Sequence, residues 1–478
     1  MKKQPGWALP SLKEAQVRTH KQSQIEKGLF EIPTEAKLLG QGKRYYLRTY
    51  GCQANQRDSE TLAGIMEALC FTPCEDAEQA DVILLNTCAI RKNAEDKVLG
   101  ELGQLKRLKK ENPDLVIGIC GCMSQEEAII DTLLTHYRHV ELIFGTHNLH
   151  RLPILLYQVM TTHKKVIEVY SKEGEVIENL PVIRFDSHKA WVNIMYGCDK
   201  FCTYCIVPYT RGKERSRMME DILEEVRTLK AQGFHEITLL GQNVNAYGKD
   251  LGLAGGFAKL LAEVAQIGIA RVRFMTSHPW DFTDEMIDVI ARYDNIMPFI
   301  HLPVQSGDSD ILKLMGRRYT IEEYKKLYDK ITSNIKNCAF STDIIVGFPN
   351  ESEAQFQHTL DIVDYCKFDN AFTFIYSPRE GTPAAKMADN VPLAVKQERL
   401  QRLNEKTNYY THLQNEKYRG KIVTVLVDGF SKKNDQVYCG HTDTNKLVNF
   451  IGKDVKAGDF VEVEITDVKT WSLDGKQV

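Results

Sequence analysis

Three cysteines, Cys198, Cys202 and Cys205, stand at x3 and x2 spacing directly after the apolar run Trp191 to Met195. Such short spacing allows three thiolates from one loop to bind a single metal centre. A cubane iron–sulfur cluster normally takes four cysteines, so three would leave one iron open to a small molecule. A structural zinc site normally takes four protein ligands, often as paired CxxC motifs, and the chain has no second CxxC motif. The spacing favours an iron–sulfur cluster, with part of a zinc site as the alternative.

Composition excludes several classes of protein. The 478 residues are enough for two or three domains. Because 61 Lys and Arg nearly balance 64 Asp and Glu, any contact with nucleic acid must be a local patch. No stretch approaches the roughly 18 apolar residues of a membrane span, and the start lacks the apolar core of a signal peptide. We therefore expect a soluble, cytoplasmic protein without a membrane contact, in which twelve cysteines serve metal binding more than disulfides.

Strand-like and helix-like segments alternate near the N-terminus. Alternation of this kind predicts a doubly wound parallel sheet, with helices on both faces. The predicted strands are 45–50, 82–85, 115–119 and 140–144, and the predicted helices are 56–69, 94–110 and one starting near 125.

Cys52, Cys88 and Cys122 each follow one of the first three predicted strands. In open parallel sheets, ligand sites form outside the carboxyl ends of the strands, so three thiols at one edge can converge on one cluster. A lone cysteine after a strand is more often a small buried residue, and it is the repeated position that predicts a site. The strand before Cys122 is expected to end at Gly121. Four cysteines lack this repeated position, and we interpret them as ordinary packing residues: Cys70, Cys74, Cys120 and Cys439.

Two segments around this sheet have weaker patterns. Residues 1–42 are charged, and we expect an extension that is partly disordered or laid across the surface. Residues 164–178 alternate enough to predict a pair of strands.

From about Phe185 to Thr411, six predicted strands alternate with helical segments, and each strand runs into a polar or glycine-bearing loop. Parallel barrels build their sites from the loops at the carboxyl ends of the strands. Six such loops, one of them the three-cysteine loop, predict a partial (β/α)6 barrel that holds a cofactor and a substrate at one face. The predicted strands are 191–195, 236–240, 271–275, 299–303, 340–346 and 372–376, and predicted helices include 219–231, 321–335 and 353–366.

From Glu416 to the end, short strands replace the helical pattern and predict a small antiparallel β-barrel. Its acidic and basic residues roughly balance, so composition alone does not predict RNA binding. The predicted strands are 422–427, 447–451 and 460–465, with turns at 428–429 and 457–459.

The cysteine loop, with Tyr204 before its last cysteine, is similar to the radical S-adenosylmethionine (SAM) signature. The longer run from Tyr196 to Gly212, which ends in Val-Pro-Tyr-Thr-Arg-Gly, resembles the methylthiotransferases, and among them the MiaB branch. Gly-Cys-Gln-x-Asn and Leu-Leu-Gly-Gln-Asn-Val-Asn-Ala-Tyr are similar to the same branch. The resemblance begins near Arg44 and runs to the end of the chain.

The resemblance implies a domain organisation and two cofactors. The cofactors are SAM and two 4Fe–4S clusters: an auxiliary cluster on Cys52, Cys88 and Cys122, and a SAM-binding cluster on the loop cysteines. The implied domains are an extension (1–42), a methylthiotransferase N-terminal domain (43–160), a radical SAM core (184–411) and an RNA-binding TRAM domain (414–478). The implied SAM contacts are Gly241, Gln242, Asn243, Ser277, Gln305, Asp343 and Gly347.

The resemblance also implies a substrate, isopentenyladenosine beside the tRNA anticodon. In this family one SAM methylates a sulfur on the auxiliary cluster, a second SAM generates the radical, and the methylthio group replaces hydrogen at carbon 2 of the adenine. Such a base must be presented unstacked. Because radical chemistry needs no strong base, His278 and His301 are interpreted as structural. The candidate phosphate contacts are Arg211, Arg317, Arg318, Arg379, Lys421, Lys432, Lys433 and Lys446.

Two alternative functions remain open, and several binding partners are expected. The alternatives are a methylthiotransferase of the ribosomal-protein or threonylcarbamoyladenosine branch, and a cluster- or zinc-bearing RNA-binding protein without catalysis. The expected partners are the tRNA anticodon stem-loop, an electron donor such as flavodoxin or ferredoxin, and a protein that supplies sulfur or iron–sulfur clusters.

Overall fold

The structure is a computed structural model that describes residues 6–16, 27–89, 92–172, 176–432 and 434–478. The chain forms two compact units. The first contains residues 1–185, 195–201 and 205–217, and the second contains residues 186–194, 202–204 and 218–478. Among the described residues, no helix combines the length and apolarity needed to cross a membrane.

The first unit is built on a six-stranded parallel sheet, as the alternation predicted. Its strand order is β3-β2-β4-β5-β6-β7, and every neighbouring pair is parallel. All residues of β4 and β5 are buried, as expected for strands covered on both faces. The strands of this region are β1 (Lys27–Leu29), β2 (Arg44–Thr49), β3 (Thr72–Pro73), β4 (Val82–Thr87), β5 (Val116–Gly121), β6 (Leu142–Phe144), β7 (Val166–Glu168) and β8 (Val176–Glu178).

Helices pack on both faces of this sheet. Ile83 and Leu85 of β4 lie in one core, and the alternate residues Val82 and Leu84 lie in another. This alternation confirms the doubly wound arrangement. The helices are α1 (Leu12–Gln16), α2 (Gln53–Ala68), α3 (Lys92–Glu111), α4 (Glu127–His136) and α5 (Leu152–Thr162).

The strand pair predicted over 164–178 is wrong. Both strands exist, but β7 pairs with β6 and β8 pairs with β1. The backbone groups at the edge of the sheet offer β7 a partner that a local sequence pattern does not show. Residues 6–16 run along the same edge, where Ala8 forms a bridge to Glu168. Residues 1–5 and 17–26, to which the expectation of disorder also applied, lie outside the described residues.

The six predicted barrel strands occur in the second unit as two parallel three-stranded sheets, β9-β12-β13 and β14-β15-β16. A parallel bridge between Val272 and Ile296 links the first sheet to the segment before β14. The strands are β9 (Lys189–Asn193), β12 (Glu236–Leu240), β13 (Arg271–Phe274), β14 (Phe299–His301), β15 (Ala339–Val346) and β16 (Asn370–Ile375). Between β9 and β12, the first unit contributes β10 (Met195–Tyr196), α6 (Val207–Thr210) and β11 (Arg215–Ser216).

Helices follow these strands in the alternation that the sequence predicts. Capping boxes at Thr320 and Ser352 fix the starts of two of them. The helices are α7 (Met219–Ala231), α8 (Gly256–Ile267), α9 (Asp284–Arg292), α10 (Ser309–Leu314), α11 (Ile321–Asn334), α12 (Glu353–Cys366) and α13 (Leu393–Glu416).

The C-terminal strands close into a barrel in the order β17-β18-β19-β21-β20. The prediction of a small barrel is confirmed, although one pair, β19 with β21, is parallel. The turn predicted at Asp428 and Gly429 is wrong, because both residues lie inside β17 where the register shifts. The strands are β17 (Ile422–Ser431), β18 (Asn434–His441), β19 (Leu447–Ile451), β20 (Phe460–Val468) and β21 (Leu473–Gln477).

Buried cations attach this small barrel to the rest of the second unit. The Arg271 guanidinium donates to the carbonyls of His441 and Thr424 at 2.8 and 3.1 Å. The Lys446 ammonium pairs with Asp369 at 2.8 Å. Lys446 is therefore engaged inside the protein, which differs from its expected role as a phosphate contact.

Candidate iron–sulfur and cofactor sites

The structure brings Cys52, Cys88 and Cys122 together at one edge of the N-terminal sheet. Cys88 follows β4 directly and Cys122 follows β5 directly, while Cys52 precedes the first residue of α2. Gly121 has a φ of +92°, and a Cβ there would lie 2.4 Å from the Thr87 carbonyl oxygen. Only glycine therefore permits the turn that ends β5 and carries Cys122 to this edge.

Asn55 ties the three cysteine loops to one another. Its side-chain oxygen lies 4.0 Å from the Cys52 sulfur and 3.8 Å from the Cys122 sulfur. Its amide nitrogen donates to the Tyr50 and Thr87 carbonyls at 2.9 and 2.8 Å, and these residues precede the Cys52 and Cys88 positions. One buried side chain thus sets the spacing of the three thiols.

A buried arginine completes this group. Arg211 Nε donates to the Cys122 sulfur at 3.2 Å. Its Nη2 donates to the Asp58 carboxylate at 2.6 Å and to the Asn55 oxygen at 2.8 Å. Arg211 is only 6% exposed, so this guanidinium is committed inside the first unit. Its position differs from the expected phosphate contact on a loop, because a buried carboxylate and a thiol already occupy its donors.

Neighbouring groups at this edge favour the thiolate of Cys52. A hydrogen bond from Cys88 lowers the pKa of Cys52 to about 5, and Arg211 contributes to the same effect against the opposing effect of burial. Burial raises the pKa of the Cys122 thiol, although Arg211 opposes this. Metal ligands must be thiolates, and a nearby cation helps to form them.

The donor set at this edge fits a three-cysteine cluster. Cys120 lies within β5 and its thiol is directed to the Leu85 carbonyl at 3.8 Å, which agrees with its interpretation as a packing residue. In the described ranges, no three His, Cys, Asp or Glu side chains are grouped around a single metal ion. A cubane cluster spreads its thiolates over separate irons, so its ligands need not surround a single ion.

The loop cysteines are held by different contacts. The Cys198 amide donates to the Gly212 carbonyl at 3.1 Å. A Cβ at Gly197 would lie 1.9 Å from the Lys213 carbonyl oxygen, so the approach of these two segments requires glycine. Cys205 belongs to the same unit as Cys198, and Cys202 belongs to the second unit. Their joint binding of one cluster stays a prediction from their spacing.

Within the second unit, Cys202 also contacts a buried arginine. Arg317 Nη1 donates to the Cys202 sulfur at 3.4 Å. The other donors of Arg317 go to the Pro303 carbonyl and the Tyr319 hydroxyl, both at 3.0 Å. In the part of the chain that the structure describes, Arg317 has no carboxylate partner. Its positive charge beside the thiol is therefore uncompensated.

The predicted SAM contacts follow the carboxyl ends of the second unit's strands, except Asp343, which lies within β15. Two non-glycine residues in these loops have a positive φ: Thr276 at +64° and Gln305 at +69°. Such strain is concentrated at functional sites. The Ser277 hydroxyl is buried without a hydrogen-bond partner among the described residues, which leaves it available to a ligand. These features agree with the expected placement of Ser277 and Gln305.

The other predicted SAM contacts differ in their surroundings. Asn243 donates to the Asp281 carboxylate at 2.7 Å, and the carboxylate of the partly exposed Asp343 lies 3.5 Å from His301 Nε2. The Gly241 carbonyl accepts from the Thr276 hydroxyl at 2.5 Å, and the neighbouring Gln242 is partly exposed.

Gly347 contacts Glu351 and lies close to α13. Its amide donates to Glu351 at 2.7 Å, and a Cβ there would lie 2.3 Å from Cγ of Lys396 in α13. Close packing against α13 thus accounts for the lack of a side chain at this position, and its SAM contact stays a prediction.

The two histidines have structural contacts. His278 Nδ1 accepts from the Trp280 amide at 3.3 Å, and His301 Nδ1 lies 2.8 Å from the Ser341 hydroxyl. Both contacts agree with the interpretation that these rings position loops and strands.

The remaining candidate phosphate contacts differ in exposure. Lys421 and Lys432 are exposed on the C-terminal barrel. Arg379 is buried, and the Arg318 guanidinium lies 4.9 Å from the centroid of the Trp280 ring. Lys433 lies outside the described residues.

Three family patterns match successive parts of the chain. The Uncharacterized protein family UPF0004 matches residues 44–145, the Radical SAM superfamily matches residues 192–363 and the TRAM domain matches residues 416–478. The radical SAM match implies a 4Fe–4S cluster and SAM as cofactors.

Close relatives extend over almost the whole chain. The tRNA-2-methylthio-N(6)-dimethylallyladenosine synthase of Bacillus cytotoxicus is 58% identical over 470 residues, which are 98% of this chain and 92% of the relative. The chain belongs to this synthase family. A synthase of the same name from Bacillus cereus is 57% identical over the same shares of both chains. The resemblance to the methylthiotransferases is thus confirmed, in the branch that the short motifs favoured.

A solved structure supports the fold of the synthase. The radical SAM methyltransferase TsrM from Kitasatospora setae, with cobalamin and a [4Fe-4S] cluster bound, aligns with a TM-score of 0.52. It covers 72% of this chain and 77% of its own, at 13% identity. At that identity the similarity concerns the fold alone.

Sequence reasoning missed the contacts of three residues around the thiols of the synthase, and it expected one of them, Arg317, to bind phosphate. Asn55, Asp58 and Arg317 have no spacing pattern of their own that reveals contact with a distant cysteine. A usable signal was the position of Asn55 and Asp58, three and six residues after Cys52 at the start of a helix.

Proposed function

We propose that this chain adds a methylthio group to carbon 2 of isopentenyladenosine beside the anticodon of tRNA. The family supports this substrate, because the relatives are named for the same modified nucleoside. The C-terminal barrel supports an RNA substrate, because it matches the TRAM domain. No relative reported above carries the name of another methylthiotransferase branch.

Two three-cysteine clusters serve this reaction. Cys52, Cys88 and Cys122 would hold the auxiliary cluster, and Cys198, Cys202 and Cys205 would hold the cluster that binds SAM. When bound, the clusters and SAM supply a radical that removes hydrogen from an unactivated aromatic carbon, together with the sulfur and methyl that replace it.

The side chains of this protein have positioning roles in the proposed reaction. Asn55 holds the loops of the auxiliary site at a fixed spacing, and Arg211 places a positive charge on one of its thiolates. Arg317 does the same for Cys202. We expect SAM to bind at Gly241, Gln242, Asn243, Ser277 and Gln305, which follow strands, and at Asp343 within β15.

The convergence of the three cysteine loops on Asn55 carries this proposal. A SAM-dependent enzyme that only generates a radical needs one cluster. A second site with three cysteine ligands would leave one iron position for an additional atom, which suits sulfur insertion.

The test is mass spectrometry of tRNA nucleosides from a deletion strain that carries the wild-type gene or a variant. Wild-type protein should restore methylthio-isopentenyladenosine. A Cys52/Cys88/Cys122 triple alanine variant should leave isopentenyladenosine unmodified at carbon 2. A deletion strain with undiminished methylthio-isopentenyladenosine would rule out this substrate, and a loss of methylthio-threonylcarbamoyladenosine instead would assign the chain to that branch.

We also propose a domain organisation and partners for the protein. Its domains are an extension over 1–42, the auxiliary-cluster domain over 43–160, the radical SAM core over 184–411 and the TRAM domain over 414–478. It would act in the cytoplasm, with a flavodoxin or ferredoxin as electron donor and a further protein as the source of sulfur or clusters.

A further inference from the structure

An exposed tryptophan lies at the carboxyl end of a barrel strand. Trp280 is in the short turn Pro279–Asp281 that follows β13, and 45% of its surface is accessible. The loops at the carboxyl ends of the strands form the binding sites of parallel barrels. An exposed aromatic ring in such a loop is well placed to contact a ligand.

Arg318 lies against this ring. Its guanidinium carbon is 4.9 Å from the ring centroid, within the range of a cation–π contact. In the described segments, Arg318 has no carboxylate partner. The pair thus presents an aromatic surface and a free positive charge side by side.

The pair lines an open cavity of about 260 Å³. Two side chains of its wall are held in place. Tyr319 and Tyr324 are buried, and the Tyr324 hydroxyl donates to the Leu302 carbonyl at 2.9 Å. The acidic residue of the lining, Glu323, accepts from the Thr320 amide at 2.7 Å as part of a helix cap. The cavity suits one planar group with a negative charge beside it.

The cavity adjoins a cluster ligand within the second unit. Arg317, the residue before Arg318, donates to the Cys202 sulfur at 3.4 Å. The same guanidinium donates to the hydroxyl of Tyr319, which lines the cavity. Arg317 thus connects a residue of the cavity wall to Cys202.

We propose that Trp280 and Arg318 form a stacking platform for one unpaired nucleotide of the tRNA anticodon loop. The base stacks on Trp280 and its phosphate pairs with Arg318, which holds the loop open beside the target adenosine. Single-stranded RNA is recognised by aromatic and guanidinium stacking of this kind. This inference rests on the proposed function, because it takes tRNA as the substrate.

The chain offers a matched control on its outer helices. Tyr365 of α12 is also 45% exposed, and the Lys325 ammonium of α11 lies 5.1 Å from its ring centroid. This pair has the same exposure and the same type of contact, but it is not at a strand end.

The experiment measures binding of an isopentenylated anticodon stem-loop to the full cluster-loaded chain by fluorescence anisotropy. Trp280→Ala should weaken binding about tenfold, since stacking of one base on an aromatic side chain accounts for a change of this order. Trp280→Phe should retain most of the affinity. Arg318→Ala should reduce the slope of log affinity against log salt by about one, and Tyr365→Ala should bind like the wild type.

Three results would count against the platform. Wild-type affinity in both Trp280→Ala and Trp280→Phe would overturn it while leaving the proposed function intact. Equal losses in Trp280→Ala and Tyr365→Ala would also overturn it, since a general surface effect would then explain both. Failure of the wild-type chain to bind the stem-loop would instead overturn the proposed substrate, and the platform with it.

Discussion

Each compact unit places a buried arginine on a cysteine sulfur, but the two arginines are balanced differently. Arg211 contacts Cys122 and also pairs with the Asp58 carboxylate at 2.6 Å. Arg317 contacts Cys202, and its other donors within the described ranges go to neutral oxygens. The first site is therefore close to neutral apart from its thiolates, and the second carries an additional positive charge.

This difference predicts different electronic properties for the two clusters. Net charge and hydrogen bonds to sulfur are among the factors that set the reduction potential of an iron–sulfur cluster. The uncompensated charge of Arg317 should make the Cys202 cluster easier to reduce. The Arg211–Asp58 pair gives the auxiliary site a hydrogen bond to sulfur with little net charge.

The largest expected effect is on stability. Arg211→Met leaves Asp58 buried without its partner, and removal of one member of a buried pair costs about 3–5 kcal/mol. Arg317→Met leaves no carboxylate behind and should cost about 1–2 kcal/mol. Hydrogen exchange of the β4 amides reports the first value, and exchange of the β15 amides reports the second.

A double variant sharpens this comparison. Arg211→Met with Asp58→Asn removes both charges and should recover a large part of the lost protection in β4. If Asp58→Asn gives no recovery, the carboxylate is not the balancing charge and the comparison fails.

A second effect concerns reduction potentials. Arg317→Met should lower the potential of the SAM cluster, because a positive charge beside Cys202 is lost. The Arg211→Met/Asp58→Asn variant should leave the auxiliary cluster closer to its wild-type potential, because the net charge is unchanged. Redox titration followed by electron paramagnetic resonance measures both, and each signal is assigned in a variant that lacks the other cysteine triad.

The same distinction between paired and unpaired cations applies to RNA binding. Lys421 is exposed. Lys421→Ala should therefore reduce the slope of log affinity against log salt, for stem-loop binding, by about one. Lys446 pairs with Asp369, so Lys446→Ala should leave the salt slope unchanged. A change of slope in the Lys446 variant alone would show that internal pairing does not decide which cations contact RNA.

The smallest expected effect is a pH dependence of the second unit. Burial opposes protonation of His188, but Asp186 and Asp428 outweigh it and raise its pKa to about 9, with Lys189 opposing them. The nearby His441 ring also contacts Asp428, at 2.8 Å. Because the folded pKa lies above the ordinary 6.5, the stabilisation is complete below about pH 6.5 and is lost as the pH rises through 9.

Thermal unfolding midpoints measure this effect. The wild-type midpoint should fall between pH 6.5 and 9 more steeply than that of His188→Gln. Parallel curves for the two proteins would show that His188 carries no such charge in the fold.

Much of the fold could be predicted because its causes are local. Apolar runs such as Val82–Leu85 become buried parallel strands wherever helices cover both faces, and Gly121 ends β5 as its conformational freedom suggests. The position of each cysteine after a strand then follows from topology alone. These features need no knowledge of distant residues.

The unpredicted features depend on contacts between distant segments. Arg211 was expected on a loop facing RNA, yet Asp58, far away in the sequence, holds it inside. The partners of β7 and β8 were likewise missed, because the edges that accept them belong to other parts of the chain. A single sequence shows a residue's type and spacing but not the charge that it meets after folding.

Iron and sulfide analysis of anaerobically reconstituted full-length protein tests the central claim, which is that the chain holds two separate three-cysteine clusters. The wild type should contain about eight irons per chain, because each cubane holds four. The Cys52/Cys88/Cys122 and Cys198/Cys202/Cys205 triple alanine variants should each contain about four, and a Cys70/Cys74/Cys120 variant should match the wild type. Wild-type iron content in the Cys52/Cys88/Cys122 variant would contradict the claim.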